Sequence, residues 1–260
     1  MDITLFQQDI AWGDANENRR RVESALAEAN GCGDIFVVPE TFTTGFGGQM
    51  TGWAEPAEGP TLQWARLMAA RHDTLFVGTW VVSEGGRCYN RLHWVMPDGQ
   101  YGHCDKAHTF RMSSEAEQIT AGRERPVFEW RGWRVRPAVC YDLRFPTWLR
   151  NRVVDNGDSF GHDVPALEYD LLLLCSNWPV ARRGAWDTLI RARAIENLCY
   201  VAACNRTGTD NAGTPYNGGS AVIDYKGSDV GSGDILVRAT MDKERLNSFR
   251  RRWPFHLDFD

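Results

Sequence analysis

Short apolar runs alternate with amphipathic segments along the whole chain. An apolar run of about four to eight residues that stops at a turn signal is typical of a strand buried on both faces. Apolar residues that recur every three or four positions predict a helix. The predicted strands, in order, are ITLFQQ, DIFVVPE, TLFVGTWVV, CYNRLHWVM, YGHCDK, the hairpin PVFEWRGWRVRPAVC, YDLLLLCSN, YVAACNRTG, GGSAVIDYKG and DILVRATM. The predicted helices are NENRRRVESALAEA, TLQWARLMAARH, GAWDTLIRARAIEN and DKERLNSFRRRW.

This order of elements predicts an α/β fold in a single domain that spans residues 1–260. Alternating strands and helices favour sheets that are covered on both faces. Two hairpin signals, at PDGQ and at Arg131-Gly132, join neighbouring strands antiparallel, so the sheets should be mixed. GGSAVIDYKG and DILVRATM are predicted as a late strand pair, and residues 155–164 as a loop.

The charge and hydropathy patterns argue against nucleic-acid and membrane partners. The chain carries 29 Lys and Arg against 34 Asp and Glu, a net charge of -5, and has no basic stripe. The arginine runs at 19–21 and 250–252 fall in predicted helices, where we expect solvated faces. No apolar run approaches the ~20 residues that cross a bilayer, and the first residues lack the pattern of a signal peptide.

The cysteines and histidines indicate a reduced, cytoplasmic protein that uses no metal. The 7 cysteines are irregularly spaced, with no CxxC pair and no cysteine/histidine cluster of zinc spacing. The histidines show no HExxH spacing, which disfavours a metallohydrolase. We therefore expect no cofactor and no metal.

Three predicted strands end in side chains that could react. Glu40 follows the apolar run IFVV in VVPETFTTGF, and glycines shortly after it allow the backbone to approach a ligand. Lys106 ends YGHCDK. Cys140 ends RPAVC, where an apolar run meets a polar segment bounded by proline. Taken singly, each is better explained by an ordinary role, as an exposed charge or a small core thiol.

Together the three residue types are sufficient for acyl transfer without a metal. A thiol attacks as the thiolate and needs a base, and a carboxylate in a low-dielectric pocket has the raised pKa that suits this task. A lysine ammonium stabilises both the thiolate and the tetrahedral oxyanion. We therefore expect Glu40 as base, Cys140 as nucleophile and Lys106 as the positive charge.

The stretches VVPETFTTGF, YGHCDKAHTF and AVCYDLRFP, in this order, resemble the nitrilase superfamily of carbon–nitrogen hydrolases. LLLLCSNWP, RARAIENLCYVAACNRTG and GGSAVIDYKG add to the resemblance, which covers nearly the whole chain. It implies a four-layer α-β-β-α sandwich with two central mixed sheets. It also implies a homodimer formed through the tails of FPTWLRNR and TLIRARAIEN. The family's second glutamate, which orients the lysine, matches Glu115, with Glu117 as a nearby competitor.

Within the superfamily, DKAHTFRM, CYDLRFP and SNWP resemble the bacterial ω-amidases. That resemblance implies hydrolysis of the terminal amide of 2-oxoglutaramate or 2-oxosuccinamate to the dicarboxylate and ammonia. Such a small-molecule substrate needs a cation for its free carboxylate. Arg144 and Arg111 are the candidates, but either could equally be structural and pair with Asp142 or Glu115.

The remaining pocket residues are expected from their positions beside the motifs. Trp178 would pack over the acyl chain or serve as a core residue, and Phe46 lies in the glycine-rich loop after the base. The backbone N–H of Tyr141 is a natural oxyanion donor beside Lys106. Two alternatives stay open: another carbon–nitrogen hydrolase activity (aliphatic amidase, N-carbamoyl amino acid hydrolase or nitrilase), or a non-catalytic binding protein.

Overall fold

The computed structural model describes residues 1–29, 31, 33–154 and 164–259. Apart from Val164, the loop predicted at 155–164 lies outside these residues. The strands β1–β14 are Asp2–Phe6, Ile35–Val37, Glu55–Pro56, Leu75–Glu84, Arg87–Val95, Tyr101–Asp105, Phe128–Trp130, Trp133–Val139, Leu171–Ser176, Tyr200–Asn205, Thr207–Thr209, Pro215–Asn217, Ala221–Ile223 and Leu236–Thr240. The helices α1–α6 are Ala15–Glu28, Pro60–His72, Glu115–Gln118, Pro146–Leu149, Arg183–Glu196 and Lys243–Arg252. Short 3₁₀ turns are Met50–Trp53, Cys140–Arg144, Val180–Arg182 and Phe255–Asp258.

The described strands form two large mixed sheets and one small hairpin. The first sheet has the order β14-β1-β2-β4-β5-β6, with β3 added beside β4. The second has the order β13-β10-β9-β8-β7, and β11 pairs only with β12. In each large sheet a parallel centre (β1-β2-β4, and β8-β9-β10) is flanked by antiparallel strands. The predicted mixed sheets are confirmed.

Alternating side chains of the central strands reach two separate cores, because successive residues of a strand point to opposite faces. Ile35 and Val37 of β2 enter the core between the two sheets, whereas Phe36 joins the core beneath α1 and α2. The thiol of Cys204 in β10 lies 3.5 Å from the carbonyl oxygen of Val37, so the second sheet packs directly on the first. Trp186 of α5 closes the far side of the core. The layers follow the predicted α-β-β-α order.

Two local expectations fail for tertiary reasons. GGSAVIDYKG and DILVRATM each contain a strand, but β13 pairs with β10 in the second sheet and β14 with β1 in the first. The second arginine run is not a uniformly solvated face, since Arg250 is fully buried and lies 2.7 Å from Asp170. The turn at Arg131-Gly132 forms as predicted, with both residues at positive φ (45° and 77°).

Among the described residues, no helix is long and apolar enough to cross a membrane.

Candidate active site

Three strand ends meet at one edge of the paired sheets. Glu40 lies shortly after β2, Lys106 directly after β6 and Cys140 directly after β8. All three side chains are at least nine-tenths buried, and Glu40 is completely inaccessible. Residues that are far apart in sequence therefore share one pocket.

A buried ion cluster connects the glutamates through the lysine. The Lys106 Nζ atom lies 2.8 Å from Oε1 of Glu40. It lies 3.0 Å from Oε1 and 2.8 Å from Oε2 of Glu115. The Glu115 carboxylate also accepts from the backbone N–H of Phe110 at 2.7 Å, which anchors it to the loop after β6. Of the two acids considered for this position, Glu115 contacts the lysine, whereas Glu117 is exposed.

Two asparagines that sequence reasoning missed complete the cluster. Asn90 in β5 donates from Nδ2 to Oε1 of Glu40 at 2.8 Å and to Oε1 of Glu115 at 3.1 Å. Asn177, after β9, donates its backbone N–H to Oε2 of Glu40 at 3.1 Å, and its side-chain amide holds the Glu40 carbonyl. Two sequence signals could have indicated them. Asn90 is a polar amide within an otherwise strand-like run, and Asn177 lies in the SNWP segment after an apolar strand.

Cys140 occupies a tight turn between β8 and a 3₁₀ turn. Its φ of 42° lies in the left-handed region, which is costly for a residue with a Cβ atom. Asp142 stabilises this turn, because its carboxylate accepts from the backbone N–H groups of Val139 (3.0 Å) and His108 (2.9 Å). The His108 ring also lies 2.7 Å from Asp142. The turn lifts the sulfur out of the sheet toward the pocket.

Burial and charge set the protonation states. Burial raises the pKa of Glu40 above its ordinary value, an effect that Lys106 opposes and the Glu115 charge reinforces. Burial, followed by the Glu40 charge, raises the pKa of the Cys140 thiol well above its usual range. Burial alone would lower the pKa of Lys106, but Glu40 and Glu115 outweigh it and raise that pKa. At neutral pH the lysine is therefore charged and the thiol protonated, with a carboxylate of enhanced basicity beside it.

The cluster opens into a cavity of about 460 Å³. Cys140, Lys106 and Asn177 lie on its wall together with the predicted residues Tyr141 and Phe46. The ammonium of Lys106 lies 4.8 Å from the centre of the Phe46 ring. A concave, largely apolar site with a few convergent polar groups suits a small organic ligand.

A carbon-nitrogen hydrolase family model matches residues 2–250 of this chain. The chain belongs to the carbon-nitrogen hydrolases. It is 40% identical over 264 residues to omega-amidase YafV of Yersinia enterocolitica, covering 100% of this chain and 97% of that protein. It is 31% identical over 262 residues to 2-oxoglutaramate amidase of Bacillus subtilis (strain 168), covering 98% and 96%.

A solved structure matches the fold closely. The crystal structure of a CN-hydrolase superfamily protein from Xanthomonas campestris, which has an arsenic adduct in its active site, superposes with a TM-score of 0.92. Its sequence is 41% identical, and the match covers 100% of this chain and 97% of that one. The nitrilase-like α/β sandwich predicted from the sequence is thereby confirmed.

The two candidate arginines of this carbon-nitrogen hydrolase lie in different places. Arg144 lines the cavity, and its guanidinium lies 5.0 Å from the centre of the Trp178 ring. Neither Asp142 nor Glu115 pairs with it, and no carboxylate of the described residues forms a salt bridge to it. Arg111 is exposed and is not among the residues that line the cavity.

Trp178 combines the two roles that the sequence left open. It is only 3% exposed and packs on Trp186 of the core, with ring centres 5.5 Å apart. It also lines the cavity, and its indole N–H donates to the carbonyl of Arg182 at 2.8 Å. Arg182, another residue missed in the sequence, lies in the same cavity over the ring of Phe110.

The small hairpin β11-β12 forms a wall that no sequence pattern predicted. The turn between its strands brings Asp210 to the cavity, and Tyr216 of β12 donates its hydroxyl to Asp210 at 3.1 Å. The hairpin pairs with no strand of the large sheets, and Thr207 at its start is held by the carbonyls of Gln7 and Gln8, both at 3.0 Å.

Proposed function

We propose that this carbon-nitrogen hydrolase is an ω-amidase, which hydrolyses the terminal amide of 2-oxo dicarboxylic acid monoamides such as 2-oxoglutaramate and 2-oxosuccinamate. The observation that carries the proposal is Arg144, a guanidinium in the same cavity as Cys140 that forms no salt bridge within the described part of the chain. A cation on the cavity wall without an acid partner matches a substrate that brings its own carboxylate. The names of the relatives from Yersinia enterocolitica and Bacillus subtilis support the same substrate class.

In the acylation step, the Glu40 carboxylate takes the thiol proton of Cys140 as the sulfur attacks the amide carbon. The raised pKa of Glu40 supports this role, because a stronger base matches a thiol that is protonated at rest. The oxyanion is stabilised by the Lys106 ammonium and the backbone N–H of Tyr141. Protonated Glu40 then passes its proton to the amide nitrogen, the carbon–nitrogen bond breaks, and ammonia leaves a thioester on Cys140.

In the deacylation step, a water molecule occupies the position that ammonia has left. Glu40 takes one proton from this water as the oxygen attacks the thioester carbon. The same two donors stabilise the second oxyanion. The carbon–sulfur bond breaks, the sulfur recovers its proton from Glu40, and the dicarboxylate leaves. Glu115 accepts from Lys106 throughout and keeps the ammonium in place.

Arg144 is the group we assign to the substrate carboxylate, with Trp178 packed against the acyl chain between this end and the sulfur. A guanidinium forms two parallel hydrogen bonds to a carboxylate, which fixes the orientation of the substrate as well as its affinity. Phe46 lies against the lysine ammonium and lines the same cavity. Arg111, predicted as an alternative partner, lies outside this cavity.

Steady-state kinetics on a substrate panel test the proposal. The panel contains 2-oxoglutaramate, 2-oxosuccinamate, butyramide, an N-carbamoyl amino acid and a simple nitrile. We expect the 2-oxo acid amides to have the highest kcat/KM, and Arg144→Met to raise their KM about 10- to 100-fold, because charge-assisted hydrogen bonds are lost. Butyramide, which has no carboxylate, should be unaffected by the substitution.

Arg111→Met is the matched control, since it removes the same charge from an exposed position outside the cavity. It should leave every kinetic constant of the panel unchanged. A wild-type enzyme that prefers a neutral amide, a carbamoyl compound or a nitrile would reject the ω-amidase proposal. An Arg111→Met variant with the larger KM effect would instead move the carboxylate site to the loop after Lys106.

We further propose a cytoplasmic homodimer of single-domain subunits that join through the two predicted tails. These tails lie side by side, because Arg150 donates to the carbonyl of Glu196 at 3.1 Å and Asn151 to the side chain of Asn197 at 2.9 Å. Ile195 is 51% exposed beside them. Light scattering after size exclusion should give the dimer mass, and Ile195→Glu should shift it toward the monomer. A wild-type monomer would contradict the proposal.

A further inference from the structure

Asn90 contacts three of the residues to which we assign the chemistry. It lies inside β5 and is fully buried. Its backbone carbonyl accepts from the backbone N–H of Lys106 at 2.9 Å, which fixes the start of the lysine loop. Its side-chain Nδ2 lies 2.8 Å from Oε1 of Glu40 and 3.1 Å from Oε1 of Glu115. One residue therefore joins the lysine backbone to both carboxylates.

The orientation of this amide follows from its neighbours. An amide oxygen turned toward the two glutamates would bring a third acceptor against their Oε1 atoms, with no hydrogen of its own to offer them. With the amino group facing the glutamates, each of its two hydrogens serves one carboxylate. The opposite atom, Oδ1 of Asn90, is buried without a hydrogen-bond partner among the described residues. The two donated bonds, and not any contact of Oδ1, thus define how this amide is oriented.

The hydrogen-bond donors are distributed unevenly over the four carboxylate oxygens. Oε1 of Glu40 accepts from Lys106 and from Asn90. Oε1 of Glu115 accepts from the same two groups, and Oε2 of Glu115 accepts from Lys106 and the N–H of Phe110. Oε2 of Glu40 accepts one protein N–H, that of Asn177 at 3.1 Å. A carboxylate oxygen has two lone pairs, so among the described donors only this oxygen keeps one open.

We propose that Asn90 is a positioning residue of the catalytic centre that holds Oε1 of Glu40 and Oε1 of Glu115 as acceptors and thereby directs the proton of Cys140 to Oε2 of Glu40. This inference rests on the proposed role of Glu40 as the base. An amide N–H can neither accept a proton nor lose one at ordinary pH, so the bonds it makes are compatible only with unprotonated Oε1 atoms. Asn90 also lies between two acids that repel each other, and its donated hydrogens reduce that repulsion.

The test is the pH dependence of Cys140 alkylation by iodoacetamide, followed by peptide mass spectrometry, which requires no substrate. In the wild type, the alkylation rate should fall at low pH as Glu40 becomes protonated and stops accepting the thiol proton. We call this fall the acid limb of the pH profile. Asn90→Leu removes both donated bonds at nearly constant volume. We expect its acid limb to move to higher pH by on the order of one unit, because the ionised carboxylates lose a charge-assisted donor.

Asn90→Asp is the second variant, because it preserves the shape of the side chain if the leucine variant fails to fold. It replaces the donor by a third acid, so its acid limb should move in the same direction and further. Asn197→Leu is the matched control, since it also removes a fully buried, hydrogen-bonded amide but lies away from the cluster. It should lower the unfolding temperature and leave the limb unchanged.

The outcomes separate the inference from the proposed function. An acid limb that is present in the wild type and unmoved in both Asn90 variants overturns the positioning role and leaves Glu40 as the base. A limb that moves equally in Asn197→Leu also overturns it, since the shift would then follow from lost stability. A wild-type rate with no acid limb overturns the base role of Glu40, and the inference with it. If the acid limb moves in the Asn90 variants and stays in place in Asn197→Leu, the inference is supported, whichever amide is the substrate.

Discussion

The two ends of strand β9 (Leu171–Ser176) each carry a buried ion cluster, and the two clusters have opposite charge balance. At the carboxyl end, Asn177 leads into the pair of acids around Lys106. At the amino end, Asp170 is surrounded by cations. The same strand therefore connects a site with surplus negative charge to a site with surplus positive charge.

In the amino-end cluster, the carboxylate of Asp170 stays ionised. Asp170 lies 2.7 Å from Arg250, 3.1 Å from Lys243 and 3.4 Å from Arg134, and it accepts the backbone N–H of Arg134. Although burial opposes ionisation, these cations lower the pKa of Asp170 to about 2. Its carboxylate is ionised at any physiological pH and joins α6 to β8 and β9.

In the carboxyl-end cluster, the charge balance makes the acid easier to protonate. Two acids share one lysine, so burial prevails over attraction at Glu40 and its pKa is raised. The comparison teaches that burial alone does not decide what a buried acid can do. An acid that is outnumbered by cations is locked in one state, whereas an acid that competes for a single cation can take up and release a proton.

The largest effect should come from Cys140→Ala. The variant lacks the nucleophile, so turnover should fall by at least about 10⁴-fold, while the circular dichroism spectrum stays that of the wild type. Cys199→Ala is the control, since this thiol is also buried but lies near the amino-end cluster. It should retain full activity. Appreciable amidase activity in Cys140→Ala would contradict the assigned chemistry.

Replacing an acid by its isosteric amide should have opposite effects on stability in the two clusters. Glu40→Gln makes this change in the carboxyl-end cluster. We expect a loss of about 10³-fold in kcat, because the amide cannot carry a proton. The unfolding temperature should equal or exceed that of the wild type, because ionised Glu40 costs stability at neutral pH when its folded pKa is raised. Mass spectrometry with substrate present should detect one acyl group on Cys140. A marked loss of stability would show that the two clusters are alike.

Asp170→Asn is the other half of this comparison. The change deprives Arg250 of a buried carboxylate, so the free energy of unfolding should fall by about 3 kcal/mol. Denaturant unfolding measures this loss, and the kcat of the folded variant should stay within about twofold of the wild type because the cluster lies at the far end of β9. A variant with wild-type stability would mean that the ion cluster contributes nothing to the fold.

The smallest effect is the pH dependence of that stability difference. The folded pKa of Asp170 is about 2 against an ordinary value of 3.8, so ionised Asp170 contributes about 2 kcal/mol above pH 3.8. This contribution should decline as the pH falls below about 4 and vanish below about 2. Wild type and Asp170→Asn should therefore converge in acid. A gap that stays constant from pH 7 to pH 2 would exclude the linkage.

Local sequence patterns predicted much of the fold and the central residues of the candidate site. Each long apolar run became a strand, and Glu40, Lys106 and Cys140 lie at or shortly after the ends of three strands. These signals are readable because strand ends and turns depend on neighbouring residues. The resemblance supplied the layer order and Glu115, which no local pattern indicated. The catalytic roles of these residues, the homodimer and the single domain stay predictions.

Other features depended on partners that are distant in the chain. Asn90 looked like any polar residue of a strand until the pairing of β5 with β6 brought it beside the lysine. Arg250 belonged to a run of three arginines, and its burial against Asp170 and the carbonyls of Tyr169 and Leu198 separates it from its exposed neighbours. Arg144 and Arg111 were equivalent candidates, and the cavity wall alone distinguishes them.

The sequence by itself thus determined which chemical groups stand at the strand ends, because short apolar runs and turn residues act over a few positions. Only the tertiary structure decided how many charges surround each acid. Charge balance is a sum over groups brought together by sheet pairing and layer packing, and Coulomb interactions in a buried site depend on distances of a few ångströms. That sum raises the pKa of Glu40 and keeps Asp170 a fixed anion, at opposite ends of one strand.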